Sequence, residues 1–150
     1  MRTRPTGSSP REQHQKYEAH KAANEAVKQL QATGQYFTAF VVAFALLEDR
    51  VHALDYVARD LALIPPVKNK RAMRDWKAIV NRLCDGGMLE KPQRTELLNL
   101  ASIRNRVVHS AIYNLTAVNK CHVRRVMDAR KLIDSLVRKQ LVKTSNKIGR

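Results

Sequence analysis

At 150 residues the chain has the length of one domain, and its 28 Lys and Arg against 13 Asp and Glu leave a formal charge of +15. Hydrophobic residues make up 44% but aromatics only 5%, with five Gly and five Pro, a mix that favours long helices and argues against a strand-rich fold. So large a charge excess points to a polyanionic partner, nucleic acid before an anionic membrane.

Residues 1–10 hold Arg, Pro, Gly and Ser without periodicity and are expected to form a flexible basic arm. The opening MRTRPTGSSPREQHQK lacks the apolar stretch of a secretory signal, so none is expected. Residues 11–34 read as a polar accessory helix whose seam is Tyr17, Ala23, Val27 and Leu30, with Gly34 as its stop. The strongest pattern follows. Phe37, Phe40, Phe44, Leu47, Val51, Leu54, Ala58 and Leu61 alternate spacings of three and four, an apolar stripe along a helix of about seven turns. Pro65-Pro66 is expected to end it. Its longest apolar run, YFTAFVVAFALL, is 12 residues and too short to span a bilayer.

A second bundle helix is expected from about Lys70 to Leu83, centred on Met73, Trp76, Ile79, Val80 and Leu83, and closed by Asp85-Gly86-Gly87. Pro92 suits the first turn of a third, packing through Leu97, Leu100, Ala101, Ile103, Val107 and Val108. Asn114 and Thr116 are caps for a fourth, from about Ala117 to Val142, with Val126, Ala129, Ile133, Leu136 and Val137 inward. The expected architecture is all-α: an up-and-down four-helix bundle over 35–142, preceded by the extra N-terminal helix and followed by a basic tail, 143–150. Charge is uneven along it, with a net of −2 over residues 35–64, +5 over 65–82 and +8 over 116–150.

Cys84 and Cys121 start no Cys-x-x-Cys or Cys/His ligand spacing, so no disulfide framework, zinc site or other cofactor is expected, and a reducing, cytoplasmic setting fits. His14, His20, His52 and His122 likewise have no ligand spacing and read as surface or edge residues, while Trp76 and Met73 read as core.

The stretch IRNRVVHS, residues 103–110, loads the end of the third bundle helix with two arginines, an asparagine and a histidine. Leu98, Ser102, Asn105 and His109 share one strip, and Arg104 sits beside it at the border of the buried face. A five-residue step is about 140° around an ideal helix, so Arg104 and His109 reach one cleft only if it lies over the helix end. A histidine trades protons near neutral pH, and an arginine grips two phosphate oxygens. Together they suit attack of an RNA 2′-hydroxyl on its own phosphodiester. The plainer account is that His109 caps the helix and Arg104 is a solvated edge residue.

The segment LLNLASIRNRVVHS, late in the third helix of a bundle, resembles the HEPN superfamily, whose ribonuclease members carry R-x4–6-H, commonly with a polar residue after the Arg. Arg104, Asn105 and His109 match those positions, and the resemblance covers roughly residues 35–142. It implies a bundle of HEPN type, a homodimer or pseudo-dimer with two motif copies lining one cleft, and metal-independent endoribonuclease activity of the toxin, phage-defence or phage-encoded kind. The family often places an acidic residue on an earlier helix near the motif; Glu48 matches, sharing a strip with His52, Asp55 and Arg59, where it orients Arg104 or forms an ordinary salt-bridge face. Some toxins of this family carry a Tyr two residues after the His that an antitoxin modifies. That position is Ala111 here, which argues against this route while an antitoxin or regulatory protein remains among the expected partners.

Tyr113, four residues after His109, reads as a base-stacking or packing residue. Arg106, pointing off the motif strip, and Arg124, Arg125 and Lys131 in HVRRVMDARK are expected to track RNA phosphates, as is KNKRAMRDWK. The competing functions are a non-catalytic nucleic-acid-binding or regulatory bundle on the same basic faces, and an adaptor whose stripe helix pairs with another protein.

Overall fold

The computed structural model describes residues 9–110 and 117–148, which form a bundle of α-helices with no strand among the described residues. In chain order these are α1 (Pro10–Ala32), α2 (Tyr36–Asp60), α3 (Lys70–Arg74), α4 (Trp76–Asp85), α5 (Lys91–Ser110) and α6 (Lys120–Ile148). No helix among the described residues is long and apolar enough to cross a membrane.

The stripe helix is the hub. Phe40, Phe44, Leu47, Val51, Leu54 and Ala58 of α2 are all at most 2% exposed, and Phe37 and Leu61 at its ends are partly buried. Ala39, Ala43 and Leu46 are buried as well, so α2 is covered on more than one side. It packs most extensively on α6, then on α1, and also on α4 and α5. From α6 come Val123, Val126, Ala129, Ile133 and Val137, and α1 contributes the buried Val27 with Ala23 and Leu30 beside it.

Polar side chains pin the outer helices. Asp55 of α2, 1% exposed, takes two hydrogen bonds from Arg82 of α4, at 2.6 Å from Nε and 2.7 Å from Nη2, and one at 3.1 Å from Arg59. Arg82 also donates to the carbonyl of Ala72, at 2.6 Å, tying α3 to the same point. Trp76 Nε1 donates to the Leu97 carbonyl at 3.1 Å, and Arg94 donates to Asn81, both joining α4 to α5.

Helix ends differ from the expected ones at the start of α1, the end of α2, Asp75 and both ends of α6. α1 starts at Pro10 because Ser9 and Glu12 form a reciprocal capping box, with Ser9 N–H donating to the Glu12 carboxylate at 2.7 Å. α2 ends at Asp60, before Pro65-Pro66: Leu63 N–H donates to Ala58 and Ala62 N–H to Arg59, with Ala62 held at φ 54°. The single helix expected from Lys70 is broken at Asp75, whose backbone is extended (φ −72°, ψ 119°) and whose carboxylate accepts from Ala78 N–H at 3.0 Å. α6 begins at Lys120, three residues later than expected, because Asn119 Oδ1 accepts from Cys121 and His122 N–H; it then continues to Ile148, through most of what read as a tail. The expected caps Asn114 and Thr116 lie outside the described residues. Val108, expected to pack inward, is 49% exposed.

Candidate functional site at the end of α5

The last two turns of α5 carry the motif. Ile103 and Val107 face the core and fix the rotation of the helix. That places Arg104 at the border of the core, partly buried, and leaves Asn105, Arg106 and His109 exposed. Arg104 does not extend into solvent as an edge residue would. Its guanidinium carbon lies 4.8 Å above the ring centroid of Phe44, in reach of a cation–π attraction. That ring belongs to an aromatic cluster, 6.2 Å from Phe40 and 5.3 Å from Trp76 between centroids. Arg104 Nε is buried with no hydrogen-bond partner among the described residues.

Glu48 stands one turn after Phe44 on α2 and is partly buried. The expected pair between Glu48 and Arg104 is not formed: among the described residues the ion pairs of α2 run through Asp49, Arg50, Asp55 and Arg59 instead. His109 makes no side-chain hydrogen bond within the described residues, so it does not cap the helix that way; Ser110 does, donating from Oγ to the Arg106 carbonyl. Arg104 lies on the ring of Phe44, and Glu48 follows that ring by one turn of α2. Arg104 and His109 stand about 140° apart around the α5 axis, Arg104 on the Phe44 ring and His109 exposed.

The expected phosphate-tracking residues divide. Arg125 is engaged elsewhere: its Nε and Nη2 each donate to a Glu96 carboxylate oxygen at 2.9 Å, and that hydrogen bonding holds its pKa above the usual value for arginine. It therefore joins α6 to α5 and is not a free cation. Arg124 and Lys131 are exposed on α6 with no carboxylate partner among the described residues, and both face a groove toward α1. Arg106 is exposed, with no side-chain partner among the described residues; Tyr113 lies outside them.

Among the described residues no three His, Cys, Asp or Glu side chains come together as a metal cage, and Cys84 and Cys121 are free thiols. The sequence reading missed α1 as a bearer of charge toward α6. The signal was present: Lys16, His20 or Lys21, Asn24 and Lys28 recur at helical spacing and share a face. Compared with known families, curated proteins and solved structures, the chain matches none of them.

Proposed function

We propose that this protein is a cytoplasmic, metal-independent endoribonuclease of HEPN type, of the toxin or phage-defence kind, built on an up-and-down bundle that acts as a homodimer. In the reaction a ribose 2′-oxygen loses its proton to a base and bonds to the adjacent phosphorus. The bond from phosphorus to the 5′-oxygen breaks, and that oxygen takes a proton, leaving a 2′,3′-cyclic phosphate. His109 is the proton-transferring residue, and Arg104 holds the phosphate oxygens as charge builds on them. Asn105 is the polar residue that follows Arg104 in the motif, and Glu48, which makes no ion pair with Arg104 among the described residues, is given no step.

One observation supports the reading beyond the resemblance: among the described residues these polar groups take no part in the hydrogen bonding that holds the fold. Where an ionic side chain serves the architecture, as Asp55, Arg82 and Arg125 do, its polar atoms are paired. Arg104 Nε and the side chains of Glu48, Asn105 and His109 have no hydrogen-bond partner among the described residues. Val108, apolar and half exposed beside His109, is suited to contact with a second copy.

The test is incubation of the pure protein with mixed RNA in EDTA. Cleavage leaving 2′,3′-cyclic ends is expected, with His109→Ala lowering the rate 10²–10⁴-fold and Arg104→Ala at least ~10²-fold. Arg106→Ala is expected to matter much less, and 2′-O-methyl RNA to resist. An active wild type with an equally active, folded His109→Ala protein would remove the motif from the chemistry.

A second reading, nucleic-acid binding without cleavage, is favoured by Arg104 itself. A guanidinium already laid on the Phe44 ring is in part a packing element. In that case the EDTA experiment yields intact, protein-bound RNA.

A further inference from the structure

α1 and α6 both lie on α2 and leave between them an open groove of about 1040 Å³, with Arg50 of α2 on its floor. Its lining holds nine Lys and Arg against three Asp and Glu. Three of the nine are engaged by carboxylates: Lys28 by Glu25 at 3.0 Å, Arg50 by Asp49 at 2.7 Å, and Arg130 by Asp134 at 3.4 Å. The other six are Lys16 and Lys21 on α1 and Lys120, Arg124, Lys131 and Arg138 on α6. All six are exposed, and none has a carboxylate partner among the described residues. The two walls thus present like charge to one another across open space. That arrangement costs stability unless an anion or solvent ions lie between them.

Two further features of the lining point to a ligand. Tyr17, on the α1 wall between Lys16 and Lys21, is 64% exposed. Asn24 Oδ1 and Arg130 Nε are buried without a hydrogen-bond partner among the described residues, a state that native structures seldom leave uncompensated.

We infer that this groove is a binding site for a single strand of nucleic acid, its phosphates along the six free cations and one base stacked on Tyr17. The lining spans Gln13–Gln31 of α1 and Lys120–Arg138 of α6, about 27 Å at ~1.5 Å per residue. That length takes roughly eight phosphates of a stacked strand at ~3.4 Å each, or about half as many when extended, within the range of known single-strand sites. A concave channel with an aromatic on one wall suits a strand, which can enter it. It does not suit a planar lipid surface. The motif on α5 is not in this lining, so the site does not depend on cleavage; if the proposed function holds, it is where substrate is gripped on the way to the cut.

The experiment is fluorescence anisotropy of the full chain with a 12-nucleotide 2′-O-methyl RNA, which cannot be cut through its 2′-oxygen. The same length of single-stranded DNA and vesicles of phosphatidylserine and phosphatidylcholine run in parallel. If all six cations meet phosphates, the slope of log affinity against log salt approaches about −4. Lys21→Glu and Arg124→Glu each lower affinity at least tenfold. Tyr17→Ala costs ~5–100-fold, and Tyr17→Phe retains binding. Lys91→Glu, an equal charge change on the exposed first turn of α5, outside the groove and at the far end of the helix from the motif, leaves affinity within about twofold. RNA and DNA bound alike define a backbone site; preference for the 2′-O-methyl strand defines an RNA site. The inference is overturned if Lys91→Glu weakens binding as much as the groove variants, or if vesicles bind and neither oligonucleotide does. Because the probe is uncleavable, failure of the nuclease reading leaves these outcomes unchanged, and failure of the groove leaves the EDTA assay unchanged.

Discussion

Asp55 and Arg104 are both charged residues at the edge of an apolar core, and the fold treats them in opposite ways. Asp55 is surrounded by guanidinium donors, so its removal strands Arg82, which is only 15% exposed. Asp55→Ala is expected to cost about 3–5 kcal/mol in urea unfolding, the range for breaking a buried pair by deleting one partner. Glu96→Ala breaks a pair that is about 40% exposed on both sides and should cost no more than ~1 kcal/mol. Equal losses for the two variants would mean that burial is not what sets their worth. The sequence shows Glu48, His52, Asp55 and Arg59 as one strip, but not which of the four is sealed. That depends on Arg82, 27 residues away, a distance over which helical spacing says nothing. Arg104 was legible as a border residue for the same reason that its contact with Phe44 was not: its own helix sets the border, and another helix supplies the ring.

Helix ends show a similar division. α1 and α4 stop where Gly34 and Gly87 take positive φ, the arrangement that lets the following N–H groups turn back onto the last carbonyls. α2 stops the same way, but with Ala62 at φ 54°, where a Cβ costs roughly 1–2 kcal/mol. Ala62→Gly is therefore expected to stabilise the protein by up to about 1 kcal/mol, once the greater freedom of unfolded glycine is subtracted. Thermal melting gives the check; a lower melting temperature would mean that the Ala62 methyl makes packing worth more than the strain. With alanine in place of glycine the stop carried no sequence signal, and the prolines beyond it drew the boundary too late. The break at Asp75 was hidden differently. Met73, Trp76, Ile79 and Val80 fit one helical period, so only the capping bond from Asp75 reveals two helices.

For the whole molecule, the stripe made α2 recognisable as the longest apolar surface, and the bundle follows from it. The sequence did not reveal how many neighbours that surface serves, because periodicity reports the width of one face and not what arrives from elsewhere. At this scale the nuclease reading makes its own prediction. Light scattering at tens of micromolar should give twice the mass of one 17.1 kDa chain, and Val108→Glu should return it to the monomer without unfolding it. A monomeric wild type at that concentration would leave each cleft with a single copy of the motif.

The position of α6 at the side of α2 also bears on how the chain is made. α2 and its most extensive partner are separated by about sixty residues, and the two walls of the groove by nearly ninety. During synthesis α1 and α2 emerge early and can pair as a hairpin across the short turn at Gly34, while the other flank of α2 stays bare until α6 has been translated. A strongly basic chain growing on a ribosome is surrounded by RNA, yet for most of that time it has only one wall of the groove. Docking of α6 both seals this flank of α2 and completes the groove, so the strand affinity proposed for the groove comes only once α6 is in place.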